Sequence, residues 1–260
     1  MNKVFYDGSF AGFLTTLFEV YEYKMEDVSC CRHAAVAGSL FGKVHEVHTS
    51  AEKAARVLKK IEEKLSVAAM KQFYHAFLSE LPDIDDGLIR YTRYIMSSKK
   101  PVENDYAHPD VLLIQQVSRK VHREKHRMEA FVRFQLTGDG LYYSLIQPDY
   151  NVLPLISKHF RERYADQRWM IYDTRRKYGL YYDLQMVNEI ELDFADELKT
   201  GSTGISTETI LDDKEELYQQ LWRQYFSSVN IAARKNMKLH IRHMPKRYWR
   251  YLTEKNTGQR

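Results

Sequence analysis

The sequence predicts an α+β protein: a mainly helical amino-terminal part, an antiparallel sheet with a helix inserted after its first hairpin, and a helical, basic carboxy-terminal segment. Three observations carry this. Apolar residues recur at helical spacing through the first hundred positions, the period changes to two between Ala130 and Pro148, and positive charge concentrates after Lys214.

Val4–Tyr6 reads as a short strand. Asp7-Gly8-Ser9 then turns the chain into a helix, with Ser9 as its cap and Phe10, Phe13, Leu14, Leu17 and Tyr21 on one face. Val44–His48 reads as a second strand, after which Ser50 caps a helix bearing Ala54, Val57, Leu58, Ile61 and Leu65. Two more helices are expected around Met70–Leu81 and Gly87–Met96. The stretch Ser97–Tyr106, with Lys99, Lys100 and Pro101, marks a boundary between residues 1–97 and 98–260, or a joint within one continuous domain.

Pro109 suits the first turn of a helix running to about Glu124, which buries Leu113, Ile114, Val117 and Val121 and ends among Arg119, Lys120, Arg123, Lys125 and Arg127. Phe131–Leu136 alternates, and Gly138-Asp139-Gly140 joins it to Leu141–Ile146 as a hairpin. A helix from Val152 to Tyr164 follows, then strands at Trp169–Asp173, Leu180–Asp183 and Met186–Leu192. Lys199–Thr209 reads as a surface loop. Leu217, Leu221, Trp222 and Tyr225 mark a further helix, and Asn230 can cap another over Ile231–His243, where alternation from Asn236 also permits a strand.

Composition narrows function by exclusion. With 44% hydrophobic and 13% aromatic residues the chain can build a core. It has no apolar run of membrane-spanning length and no signal-peptide pattern, so a cytoplasmic protein is expected. Its two cysteines, Cys30 and Cys31, are adjacent and cannot build a disulfide framework. They suit a packing role better than a metal site with His33, His45 and His48, because Cys-Cys-x-His lacks zinc spacing. No Walker loop, dinucleotide fingerprint, zinc-protease helix or hydrolase elbow occurs, so the motifs imply no cofactor, no metal and no named reaction.

Charge points to partners instead. The chain carries +4 overall, but Lys214–Arg260 holds eleven Lys and Arg against three Glu, a local +8 that leaves −4 for the rest. Arg234, Lys238 and Arg242 fall at i, i+4 and i+8 and form a ridge suited to phosphates. Met244-Pro245-Lys246-Arg247-Tyr248-Trp249-Arg250 interleaves cations with aromatics, which suits phosphate contact with base stacking or a tail packed on its own rings. Arg175 and Arg176, on a turn after a strand, and Arg133, on the alternating run, are further candidates. His159 and Arg163 share a largely apolar helical face with Ile156 and Phe160. They form a structural pair there, or with Asp173, the other catalytic candidate, they line a pocket in which His159 would be a general acid/base or a phosphate ligand and Arg163 an anion clamp.

From the Arg133-Phe134 run to Glu254 the chain resembles a bacterial family described as DNA metabolism or DNA repair proteins. The resemblance rests on Phe131-Val132-Arg133-Phe134, Pro148 with Asn151-Val152-Leu153, His159-Phe160 with Arg163, Trp169-Met170-Ile171-Tyr172-Asp173, Trp222 with Tyr225, Arg234 with Asn236, and Met244-Pro245-Lys246-Arg247-Tyr248-Trp249. Tyr6-Asp7-Gly8-Ser9-Phe10 also looks like that family's amino terminus. The resemblance implies a DNA-binding accessory protein working beside a radical-SAM iron–sulfur protein, with a related domain fused to uracil-DNA-glycosylase-like proteins. It carries no catalytic residue over. An enzyme acting on a nucleotide or base, and a scaffold for an acidic protein surface, are the competing functions.

Overall fold

The computed structural model describes residues 2–32, 44–137, 140–191 and 244–252. The expected features at Gly138-Asp139, Lys199–Thr209, Leu217–Tyr225 and Ile231–His243, with the Arg234, Lys238 and Arg242 ridge, lie outside them. The chain divides into two compact units, Met1–His122 and Arg123–Arg260. The division falls inside a helix, downstream of the Ser97–Tyr106 stretch.

In the first unit β1 (Asn2–Tyr6) leads through Asp7-Gly8-Ser9 into α1 (Phe10–Glu22). Ser9 accepts a hydrogen bond from the Gly12 N–H, one of the donors that a helix start leaves open. Helix α1 returns the chain to β2 (Val28–Arg32), and β3 (Val44–Glu46) follows. Both strands pair parallel with β1, in the order β2-β1-β3. Helices α2 (Ala51–Glu62), α3 (Val67–Phe77) and α4 (Ile84–Ser97) pack around a core that includes Phe13, Leu17, Ile61, Phe73 and Leu88. Asp85 of α4 accepts from the Tyr6 hydroxyl and from Arg32, which ties β1 and β2 to the helices. The cysteines sit on β2, where the Cys30 N–H donates to Asp86 at 2.7 Å. Burial, reinforced by Asp86 and Asp85, pushes the Cys30 thiol up, so it stays protonated.

Helix α5 (Pro109–Phe131) corrects two expectations. It does not stop near Glu124, because Lys125–Glu129 (2.7 Å), His126–Glu129 (3.2 Å) and Arg127–Glu124 (3.4 Å) pair one turn apart and sustain it. The cations from Arg119 to Arg127 therefore line the helix rather than cap it, and Phe131 is its last residue. The alternating run becomes strand only at β4 (Gln135–Leu136), and Arg133 falls in the connection, donating to the carbonyls of Ala130 and Val132.

The second unit holds a five-stranded sheet in the order β4-β5-β6-β7-β8, built from β4 with β5 (Tyr142–Ile146), β6 (Trp169–Asp173), β7 (Tyr178–Tyr182) and β8 (Val187–Glu191). The α+β class holds, but the sheet is mixed rather than antiparallel. Helix α6 (Leu153–Arg163) carries the chain back along the sheet, so β5 and β6 pair parallel, from Tyr142 with Trp169 to Ile146 with Asp173. The other three pairings are antiparallel. Period-two patterning fixes which face a residue occupies but not which way the strand runs, and the inserted helix decides that. Trp169, Phe160, Ile156 and Leu153 are fully buried between α6 and the sheet. A 3₁₀ helix, Lys246–Tyr251, follows Pro245 and brings the basic-aromatic run into this unit.

Candidate nucleic-acid interface

The parallel pairing of β5 and β6 places their carboxyl ends side by side, and Thr174 N–H donates to the Ile146 carbonyl across them at 3.0 Å. The loop leaving β5, residues 147–151, therefore lies beside the turn leaving β6, residues 174–177. In sheets with parallel strands this is the edge where ligands meet backbone and loop side chains.

Asp173 ends β6 and is fully buried. One carboxylate oxygen accepts from the N–H groups of Arg175 (2.9 Å) and Arg176 (3.2 Å), and the other from Arg176 Nη1 (2.8 Å). Lys177 closes the turn at φ 60°. The turn thus throws Arg175 outward, while Arg176 lies along the protein with its side chain only 9% exposed. Both reach the neighbouring loop: Arg175 Nη1 and Arg176 Nη2 donate to the Asp149 carbonyl at 3.3 Å, and Arg176 Nη1 to the Pro148 carbonyl at 3.2 Å.

Asp149 is the centre of this arrangement. Its N–H donates to Glu124 of α5 at 2.8 Å, and its carboxylate meets Arg247 Nη2 of the 3₁₀ helix at 2.6 Å. Glu124, 1% exposed, also takes the Tyr248 hydroxyl on both oxygens, at 2.5 and 2.6 Å, with Arg127 at 3.4 Å and Arg247 at 3.6 Å. Burial pushes the Tyr248 phenol up, and its bond to Glu124 adds to the effect, so the hydroxyl remains the donor. Arg123, exposed on α5, and Arg247 both act electrostatically on Tyr150 in the same loop. Four arginines from three separate segments, Arg123, Arg175 and Arg176, and Arg247, so act on one loop, with Arg127 on the Glu124 carboxylate that holds it.

Several candidates take different places from those expected of them. Tyr248, expected to offer a ring to a base, is 2% exposed and packs its ring against Phe131 at 5.7 Å. The Trp249 indole N–H donates to the Met244 carbonyl at 3.0 Å, with Lys246 Nζ 6.0 Å from its ring. His159 is half-buried, edge-on to Phe160 at 5.1 Å, and Arg163 is exposed over the Tyr164 ring at 5.8 Å. Among the described residues no hydrogen bond or ion pair joins Asp173 to His159 or Arg163, and the oxygens of Asp173 are filled by the turn it caps. Sequence reasoning missed Glu124, Asp149 and Tyr150. The signal available was Pro148-Asp149-Tyr150-Asn151, a turn-forming run carrying an acid and an aromatic between basic segments.

No curated protein and no solved structure matches the chain. A family model described as a domain of unknown function, DUF4130, matches residues 82–254, which takes in α4, α5 and every described element of the second unit. With more than half of its length covered, the chain belongs to the DUF4130 family.

Proposed function

We propose that this chain is a nucleic-acid-binding protein of DNA metabolism or repair, an accessory subunit that presents DNA to a partner enzyme. The observation that supports this most directly is the convergence of Arg123, Arg175 and Arg247, distant in sequence, at the 147–151 loop. Glu124 and Asp173 are buried and satisfied, and the half-exposed Asp149 carboxylate is matched by Arg247. Guanidinium groups fixed in this way suit phosphate oxygens, which they can meet in paired hydrogen bonds. The net +8 of the Lys214–Arg260 sequence supports the same class of ligand.

The test is the salt dependence of oligonucleotide binding, followed by fluorescence anisotropy. Replacing Arg123 and Arg175 with glutamine in one variant should flatten the logarithmic salt slope by roughly 0.7 to 0.9 for each phosphate that is no longer neutralised, with little dependence on base sequence. A folded double variant with the parent's slope would sink the assignment. The resemblance to DNA metabolism proteins supports the partner half of the proposal, a radical-SAM iron–sulfur protein. Co-purification with that protein, with and without damaged DNA, tests it, and no association under either condition refutes it.

A further inference from the structure

The loop that gathers the arginines carries one aromatic side chain with no structural bond to make. Tyr150 is only partly buried, and among the described residues its hydroxyl has no hydrogen-bond partner. Its neighbours on both sides are fixed: Asp149 by Glu124, Arg175 and Arg176, and Asn151 by the Tyr178 hydroxyl. The other aromatic groups near the loop are engaged: Tyr248 with Glu124, Tyr178 with Asn151, Trp249 with Met244 and Tyr251 with Gln147. Asp149 and Glu124 act electrostatically on Tyr150, with Arg123 and Arg247 opposing them, and Arg247 keeps 43% of its side chain exposed although it is paired with Asp149. A partly open ring on a pinned loop, with arginines beside it whose guanidinium groups reach solvent, has the composition of a single-strand binding site: ring faces take bases while guanidinium groups take the flanking phosphates.

We infer that Tyr150 is a stacking platform for an unpaired base, and that the nucleic acid this site takes is single-stranded or locally unpaired. The inference rests on the nucleic-acid reading above and adds the ligand class to it. A duplex keeps the faces of its bases inside the stack, where a ring on a short loop cannot reach them. A base released from the stack presents a flat π-surface of about the area of the phenol. Tyr150 would thus contribute affinity that does not depend on charge, in a site whose remaining affinity is electrostatic.

The experiment compares three probes on the full chain at one ionic strength: a fluorescent single-stranded oligonucleotide, the same sequence as a blunt duplex, and inorganic polyphosphate as charge alone. The parent should favour the single strand over the duplex. Tyr150→Leu, which keeps most of the apolar contact but removes the aromatic face, should weaken single-strand binding roughly tenfold and leave polyphosphate affinity unchanged, since base–aromatic stacking is worth about that much. Tyr150→Phe should match the parent, because the hydroxyl is not used. Equal losses for oligonucleotide and polyphosphate, a phenylalanine variant as weak as the leucine one, or a leucine variant as tight as the parent each overturn the stacking role. If those results come with an intact salt slope that responds to Arg123 and Arg175, the nucleic-acid assignment survives and only its ligand class fails. If the parent binds neither oligonucleotide, the assignment itself is lost.

Discussion

Replacing Tyr248 with phenylalanine removes one oxygen atom from a buried polar contact of the second unit and leaves the ring against Phe131. That hydroxyl donates to a carboxylate 1% exposed, at 2.5 and 2.6 Å to its two oxygens, and accepts from Arg247 Nη2 at 2.6 Å, a guanidinium that keeps Asp149 when the oxygen is lost. A hydrogen bond to a charged group contributes about 1.5 to 3 kcal/mol, and more when its loss leaves the buried charge without a partner. Glu124 is not left so here, because the Asp149 N–H at 2.8 Å and Arg127 at 3.4 Å remain. The expected loss is therefore about 2 kcal/mol, in the lower part of that range. With denaturant slopes of about 1 to 3 kcal/mol per molar urea, it should lower the unfolding midpoint by roughly 1 M. Tyr251→Phe serves as the control. Its hydroxyl bond to Gln147 is 3.3 Å long and joins two neutral groups, so it should cost below about 1 kcal/mol. If Tyr248→Phe unfolds within about 0.5 kcal/mol of the parent, the Glu124–Tyr248 contact does not hold the 3₁₀ helix to α5, and the account of the site's scaffold is wrong.

Two further substitutions probe the sheet and the helix beside it. A Cβ at Gly179 on β7 would stand 2.8 Å from the Ile171 carbonyl oxygen and 3.2 Å from the Tyr172 Cα, both backbone atoms of β6; Gly179→Ala should thus cost about 1 to 3 kcal/mol by urea unfolding, and a neutral result would mean the strands part freely there. Burial alone would raise the Glu129 carboxyl, but hydrogen bonds from Lys125 and His126 hold it below the ordinary carboxylate range. Its contribution to stability is thus present at neutral pH and fades as pH falls through that lowered value. Thermal melts should show Glu129→Gln less stable than the parent at pH 7, with the gap closing as pH falls below the ordinary carboxylate range, whereas a gap independent of pH would refute the pairing.

Much of the local structure is legible in the sequence because it is decided locally. Ser9 and Ser50 cap the helices they precede, accepting from the Gly12 and Lys53 N–H groups, and the strand at Trp169–Asp173 has the bounds its sequence suggests. Where sequence reading fails, the deciding partner is remote. Val28-Ser29-Cys30-Cys31-Arg32 has no apolar alternation, and it is a strand because α1 delivers it alongside β1. The direction of β6 relative to β5 escapes the alternation for the same reason, and it is that direction which brings the two loops of the candidate site together. The cations of the site are visible as charge in the sequence. The carboxylates that organise them are not: Glu124 sits between Arg123 and Lys125 like any helix-surface acid, and nothing adjacent reveals that the helix buries it.

The Glu124–Tyr248 contact also fixes an order of events. Its two residues are 124 positions apart, and during synthesis at about 5 to 20 residues per second Glu124 is made roughly 6 to 25 s before its partner. Until then any folded form of the unit would enclose a carboxylate lacking its strongest donor, or keep α5 turned to water there. The sheet from β4 to β8 is made within that interval, so β5, α6 and β6 can pair first and the 3₁₀ helix closes over them afterwards. Closing so long a span carries an entropy cost that grows only logarithmically with length, so lengthening the chain between residues 191 and 244 should slow this last step only slightly, whereas losing the tyrosine hydroxyl removes part of the free energy gained by completing it.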